Sequence, residues 1–225
     1  MIMKTKIIIL LTLLPVLFLH QCEKESKLPT DGDGNTYDTI VIGTQVWLAE
    51  NLKTTKYNNR ISIPLITDNA QWISTTSAAY CWYENNSDLK DTYGALYNWW
   101  AIKVSNLCPV GYHVPNSQEW NVLIEYFGGK DIAGGKLKMT GNTVWKNNIF
   151  ATNESGFSAV GGGFRQNSDG VFASLKLNGS WWSTVSGINE DNGYGLIIYD
   201  ASGEALLGGG VNKKKGISVR CLKND

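Results

Sequence analysis

The stretch CPVGYHVPNSQEW, Cys108 to Trp120, sets a cysteine, a histidine and a glutamate within one short run. Those residue types do chemistry, yet the run reads more simply as the start of a helix. Pro115 precedes Asn116, which can cap, and Glu119 three residues later can return the bond as a capping box. Trp120, Leu123, Ile124 and Phe127 follow at helical spacing, and Gly128-Gly129 ends the pattern. Glu119 is therefore explained by helix initiation alone. The only other histidine is His20, so neither a two-histidine metal site nor an H-E-x-x-H arrangement can be built after the N-terminal segment. His113 reads as a turn residue whose ring nitrogen bonds a backbone carbonyl.

Upstream, the pattern predicts another helix over about Tyr93 to Val104, with Leu96, Trp99, Trp100 and Val104 on its apolar face. In YDTIVIGTQVWLAENL, Ile40, Ile42, Val46 and Leu48 suggest two short strands turning at Gly43-Thr44. Downstream of Gly156 the signal changes to glycine-bordered strands: GFSAVGGGFR, GVFASLKL, GSWWST, YGLIIYD, EALLGGGV and GISVRCLK. Five or six short strands after two helices imply an α+β domain whose antiparallel sheet carries its helices on one side. The composition agrees, with 24 Gly, 9 Trp and 10 Tyr against 5 Pro. ENNSDLKD (84 to 91) and GINEDNG (187 to 193) read as surface loops within a single domain, 37 to 225.

Twenty basic and twenty acidic side chains cancel, so no overall field favours nucleic acid or an anionic surface. The first 22 residues carry Lys4 and Lys6, then the apolar run IIILLTLLPVLFL, and read as a signal peptide. The run ends at Leu19-His20-Gln21-Cys22, which resembles a bacterial lipobox with Cys22 as the lipidated thiol, although Gln21 stands where a small residue is usual. Residues 23 to 36, EKESKLPTDGDGNT, read as a flexible tether. Export permits a disulfide, and three cysteines remain after Cys22. Cys81, between aromatic residues, behaves as a small buried apolar side chain. A Cys108–Cys221 bond would close a loop over the whole second half, worth roughly 4 to 5 kcal/mol by loop entropy.

The motifs VWLAENLKT, YGALYNWWA, LCPVGYHVPNSQEW, AGGKLK, NESGFSAVGGGFR, GSWWST and GISVRC resemble, in order, the Fibrobacter succinogenes major paralogous domain of exported Bacteroidetes and Fibrobacteres proteins. That resemblance covers about Tyr37 to Asp225. It implies no established activity, but Trp99 at the end of a helix, followed by the Gly111 to Trp120 run that starts the next, is similar to the pattern of the C-type-lectin-like fold, and especially to formylglycine-generating enzymes. The implied architecture is two helices packed on a twisted antiparallel sheet with long loops. In that fold a disulfide commonly joins the helical region to the last strand, in agreement with Cys108 and Cys221.

A Cys108/His113 nucleophilic pair would need a reduced Cys108, and formylglycine-type oxidation would need a reactive cysteine pair that GISVRC does not provide. Glu119, Glu154 and Glu190 show no paired spacing of a general acid and base. GGKDIAGGKLK and GGGVNKKKG lack Walker A spacing, and Lys213 to Lys215 read as a solvated turn. The oxygen-rich loops at 84 to 88 and 189 to 192 read as turns rather than a calcium site. No catalytic residue, metal or cofactor is assigned. The binding hint is aromatic: alternation should turn one of Trp181 and Trp182 outward, and likewise one of Trp82 and Tyr83, to meet a glycan or surface protein. The expectation is an exported lipoprotein of the outer membrane or cell surface, facing either the exterior or the periplasm and held to the membrane through its N-terminal lipid. It would act as a non-catalytic binding or structural module. An enzyme of the lectin-fold oxidase lineage, or a carbohydrate-active one, is the alternative.

Overall fold

The structure is a computed structural model and describes residues 28–104 and 106–224. The expected signal peptide, with Cys22, and residues 23 to 27 of the expected tether lie outside the described residues. The chain runs β1 (Thr39–Ile42), β2 (Gln45–Leu48), α1 (Asn69–Ser74), β3 (Tyr80–Cys81), α2 (Lys90–Tyr93), β4 (Leu96–Tyr97), α3 (Trp99–Ile102), β5 (Tyr112–His113), α4 (Ser117–Tyr126) and α5 (Lys130–Leu137). It continues through β6 (Gly162–Arg165), β7 (Phe172–Leu175), β8 (Asn178–Ser186), β9 (Asn192–Tyr199), β10 (Leu206–Asn212) and β11 (Leu222–Lys223). The class is α+β. The strands do not form the single sheet expected from the sequence. They divide into a four-stranded sheet ordered β1-β2-β11-β5, a three-stranded sheet ordered β10-β9-β8, and the pairs β3-β4 and β6-β7, all antiparallel.

Helix α4 forms as its cap predicts. Asn116 Oδ1 accepts from the Glu119 N–H at 3.0 Å, and Glu119 Oε2 accepts from the Asn116 N–H at 2.7 Å. Trp120, Leu123 and Ile124 are buried, and the chain leaves the helix through Gly128 and Gly129, both at positive φ. The helix expected over Tyr93 to Val104 is instead cut into α2, β4 and α3. Gly94 leaves α2 at φ 74°, the Ala95 N–H bonds Leu52 O, and Tyr97 exchanges backbone bonds with Ile217. Asn98 then caps α3 through its side chain, which accepts from the Ala101 N–H at 3.1 Å. Long-range ladder bonds outweigh the local helical pattern here.

Helix α5 falls in a segment whose glycines and lysines gave no helical signal. Its glycines serve close packing, since a Cβ on Gly134 would lie 2.0 Å from the Glu204 carbonyl oxygen. The described end of the expected tether is also folded. Asp31 accepts from the N–H groups of Asp33 and Asn35, and Tyr37 Oη donates to Asp31 Oδ2 at 2.6 Å. The sequence DGDGN is thus a closed turn docked on the domain, which begins before Tyr37.

Strand β8 runs between two apolar clusters. One gathers Leu48, Tyr97, Trp99, Trp182, Ile217 and the Cys108–Cys221 bond. The other gathers Trp47, Trp120, Trp145, Phe157, Trp181 and Leu196. Arg220 is buried between elements with its guanidinium 4.2 Å from the Phe157 ring centroid. It donates to the Leu48 and Phe157 carbonyls and, through Nε and Nη2, to Asn51 Oδ1. Burial pulls its pKa down to about 9, still protonated at neutral pH. Lys138 is likewise enclosed and donates to the carbonyls of Tyr199, Asp200 and Ser202, closing the β9–β10 loop.

Candidate functional site

The residues singled out by the opening stretch do converge. Cys108 and Cys221 are bonded across 113 positions, and Leu222 pairs with His113 in the β11–β5 ladder. That pairing places the His113 ring, with Nδ1 2.7 Å from Asn224 Oδ1 and Nε2 2.9 Å from Glu119 Oε1. Two side chains thus meet the ring nitrogens, one from near the chain's end and one from the first turn of α4. Burial alone would raise the Glu119 pKa, but the His113 bond and the Asn116 N–H hold it below the usual carboxylate value. Both Glu119 oxygens are engaged, one by His113 and one by the cap of α4.

His113 also lines a groove of about 240 Å³ with Val104, Cys108 and Thr184. That volume is below the ~300–1,000 Å³ typical of small-molecule sites. The sulfur at its wall is in a disulfide, so it offers no thiolate. Cys81 is fully buried, which pushes its thiol up to about 12 despite nearby Arg165, so it stays protonated at neutral pH and offers no thiolate either. No group of three or more His, Cys, Asp or Glu residues is placed to hold a metal among the described residues.

The four aromatic residues expected to offer a binding face do not expose a ring. Trp181 and Trp182 do point to opposite sides of β8, as alternation requires, but a cluster covers each side and both are 0% exposed. Their N–H groups are tied inward, Trp181 Nε1 to Asn51 Oδ1 at 2.8 Å and Trp182 Nε1 to Tyr97 O at 2.7 Å. Trp82 and Tyr83 are 8% and 6% exposed, Trp82 packed edge-on against Tyr80 and Tyr83 tilted against Phe172. A strand with two covered faces buries residues of both parities, as Asn178 to Ser183 are buried here, and the sequence pattern of β8 alone does not show the second cover.

The lysine run is not a solvated turn either. Lys213 Nζ donates to Glu190 O and lies 4.2 Å from the Trp99 ring centroid, Lys214 Nζ donates to Ile73 O at 2.8 Å, and Lys215 sits 3.8 Å from the Phe164 ring centroid. The three ammonium groups thus tie the turn after β10 to the β8–β9 loop and α3, to α1 and to β6.

The exposed aromatic residues are instead Phe150, Tyr199 and, at the end of α4, Tyr126, the most exposed of the three at 60%. Two shallow concavities of about 400 and 390 Å³ meet at this residue, one along α4 and the β1–β2 turn, the other toward Lys136 and Glu154. Helical periodicity marks Tyr126 only as a solvent-side residue, and nothing local in the sequence announces the grooves.

No helix among the described residues is long and apolar enough to cross a membrane. Comparison with curated proteins and with solved structures gives no match. The profile of the Fibrobacter succinogenes major domain matches residues 40–223, from the first strand of the four-stranded sheet to its last. With the match spanning nearly all of the folded chain, this protein belongs to the Fibrobacter succinogenes major domain family.

Proposed function

We propose that the chain is an exported, lipid-anchored module of the bacterial cell envelope that binds or supports a partner and performs no catalysis, with a glycan or a surface protein as that partner. One observation carries the reading: the groups able to do chemistry in the opening stretch are committed to architecture, Cys108 to a disulfide and the Glu119 carboxylate to both His113 and the helix cap. A C-type-lectin-like arrangement of the helices and sheets is part of the proposal. It is supported by the likeness of the Gly111 to Trp120 run to the lectin-like pattern and by a disulfide that reaches the last strand.

The anchor rests on the lipobox-like run before Cys22. Growth with an alkyne-tagged palmitate should label the full chain and leave a Cys22→Ala variant unlabelled. A wild-type chain without label, recovered from the exported fraction, would contradict the anchor.

A further inference from the structure

Helix α4 buries Trp120, Leu123 and Ile124 and turns Gln118, Asn121, Val122, Glu125 and Tyr126 to solvent. A helix face that only meets water is expected to be polar throughout. Here Tyr126 stands beside Val122 and, across the groove on β1, Val41, which are 42% and 67% exposed. The tyrosine ring is held in position. It lies against the β1–β2 turn, where a Cβ on residue 43 would come 3.0 Å from its Cδ2, so glycine at 43 makes room for the ring. The turn is itself fixed to the helix by Gln45 Nε2, which donates to Glu119 O at 3.0 Å. Such a ring is ordered before any ligand arrives, which lowers the entropy lost on binding.

The two concavities that meet at Tyr126 have polar rims. On one side stand Thr44, Gln118, Asn121 and Glu125, and among the described residues nothing hydrogen-bonds the side chains of the last three. On the other stand Ser155 and the half-exposed ion pair of Lys136 with Glu154, at 2.9 Å. The two volumes fall within the range of small-molecule sites. One ring and two valines form too small an apolar centre for a stable protein interface, which needs ~800 Å² from each partner around a fully buried core. Two carboxylates against one ammonium disfavour a phosphate or any other anionic ligand. What remains complementary is a ligand with an apolar C–H face and a periphery of hydroxyl groups.

We infer that Tyr126 is the stacking floor of a site for a neutral saccharide chain laid across both grooves, with Gln118, Asn121 and Glu125 bonding its hydroxyls. The inference rests on the binding-module reading and moves the aromatic contact from Trp181 and Trp182 to Tyr126.

The test uses the detergent-solubilised full chain as wild type, Tyr126→Ala, Tyr126→Phe and Asn121→Ala. The probes are neutral cello-, xylo-, manno- and chito-oligosaccharides, with oligogalacturonate as the acidic comparison. Binding is read by saturation-transfer NMR and calorimetry. At least one neutral probe should bind wild type, with affinity about tenfold weaker in Tyr126→Ala and kept within about threefold in Tyr126→Phe. Asn121→Ala should weaken the same probe, and melting temperatures should be unchanged for these exposed positions. Saccharide binding that survives Tyr126→Ala intact would remove this site and leave the binding-module reading standing. A wild type that binds only the acidic probe would overturn the neutral assignment. One that binds no probe would overturn both the site and saccharide recognition.

Discussion

Serine at both Cys108 and Cys221 is expected to lower the unfolding free energy by about 4 to 5 kcal/mol. The two cysteines lie 113 positions apart, so the bond removes a long loop's freedom from the unfolded chain. Total stability for domains of this kind is only ~5–15 kcal/mol, so the change takes a large share of it. The bond also locks a junction that is otherwise short: β5 and β11 pair through only two register positions. Urea unfolding of the wild type and the double variant should show a clearly lower midpoint for the variant and a steeper slope, because the unbridged unfolded chain exposes more surface. A loss under about 1 kcal/mol would mean that the second half of the chain is held by packing alone.

The second large effect is expected at Asn51. Its Oδ1 accepts from Arg220 Nε at 3.2 Å, Arg220 Nη2 at 3.0 Å and Trp181 Nε1 at 2.8 Å, while its Nδ2 donates to Tyr93 O at 2.9 Å. Among the described residues no carboxylate forms a salt bridge with Arg220, so Asn51 and two carbonyls are its hydrogen-bond partners, with Glu50 acting only through its charge at longer range. Asn51→Ala strands part of a buried guanidinium and an indole N–H together. A cost of about 3 to 5 kcal/mol follows from leaving a buried charge underpaired. Combining Asn51→Leu with Arg220→Met should recover much of that loss, since the penalty belongs to the orphaned charge rather than to the missing bonds. Chemical denaturation of the single and double variants decides the matter. A double variant less stable than Asn51→Ala would show instead that the packing of Arg220 against Phe157 matters more than its charge.

The parts of this fold that were legible in the sequence are those whose determinants lie close together. The cap at Asn116, its return from Glu119 and the apolar spacing after Trp120 all fall within one helix, and the helix forms where they place it. The β1–β2 hairpin is equally local, with Gly43-Thr44 at its turn. The region from Tyr93 to Val104 carries a helical pattern as well, but Leu52 and Ile217 compete for its backbone, and neither partner can be read from the neighbourhood. Trp181 and Trp182 alternate as expected, yet their exposure depends on what the rest of the chain lays over β8. Asn51 and Arg220 are separated by 169 positions, so their hub has no local signature. Tyr126 likewise acquires its grooves from a turn far upstream and from Lys136 and Glu154 downstream.

The reading of the chain as a non-catalytic module turns on the state of one sulfur. Mass mapping of the exported protein, alkylated under native conditions without reductant and then digested, tests it most directly. The expected result is a peptide pair joined through Cys108 and Cys221, with Cys81 alkylated only after unfolding. An alkylated Cys108 in the native protein, within reach of His113, would contradict it.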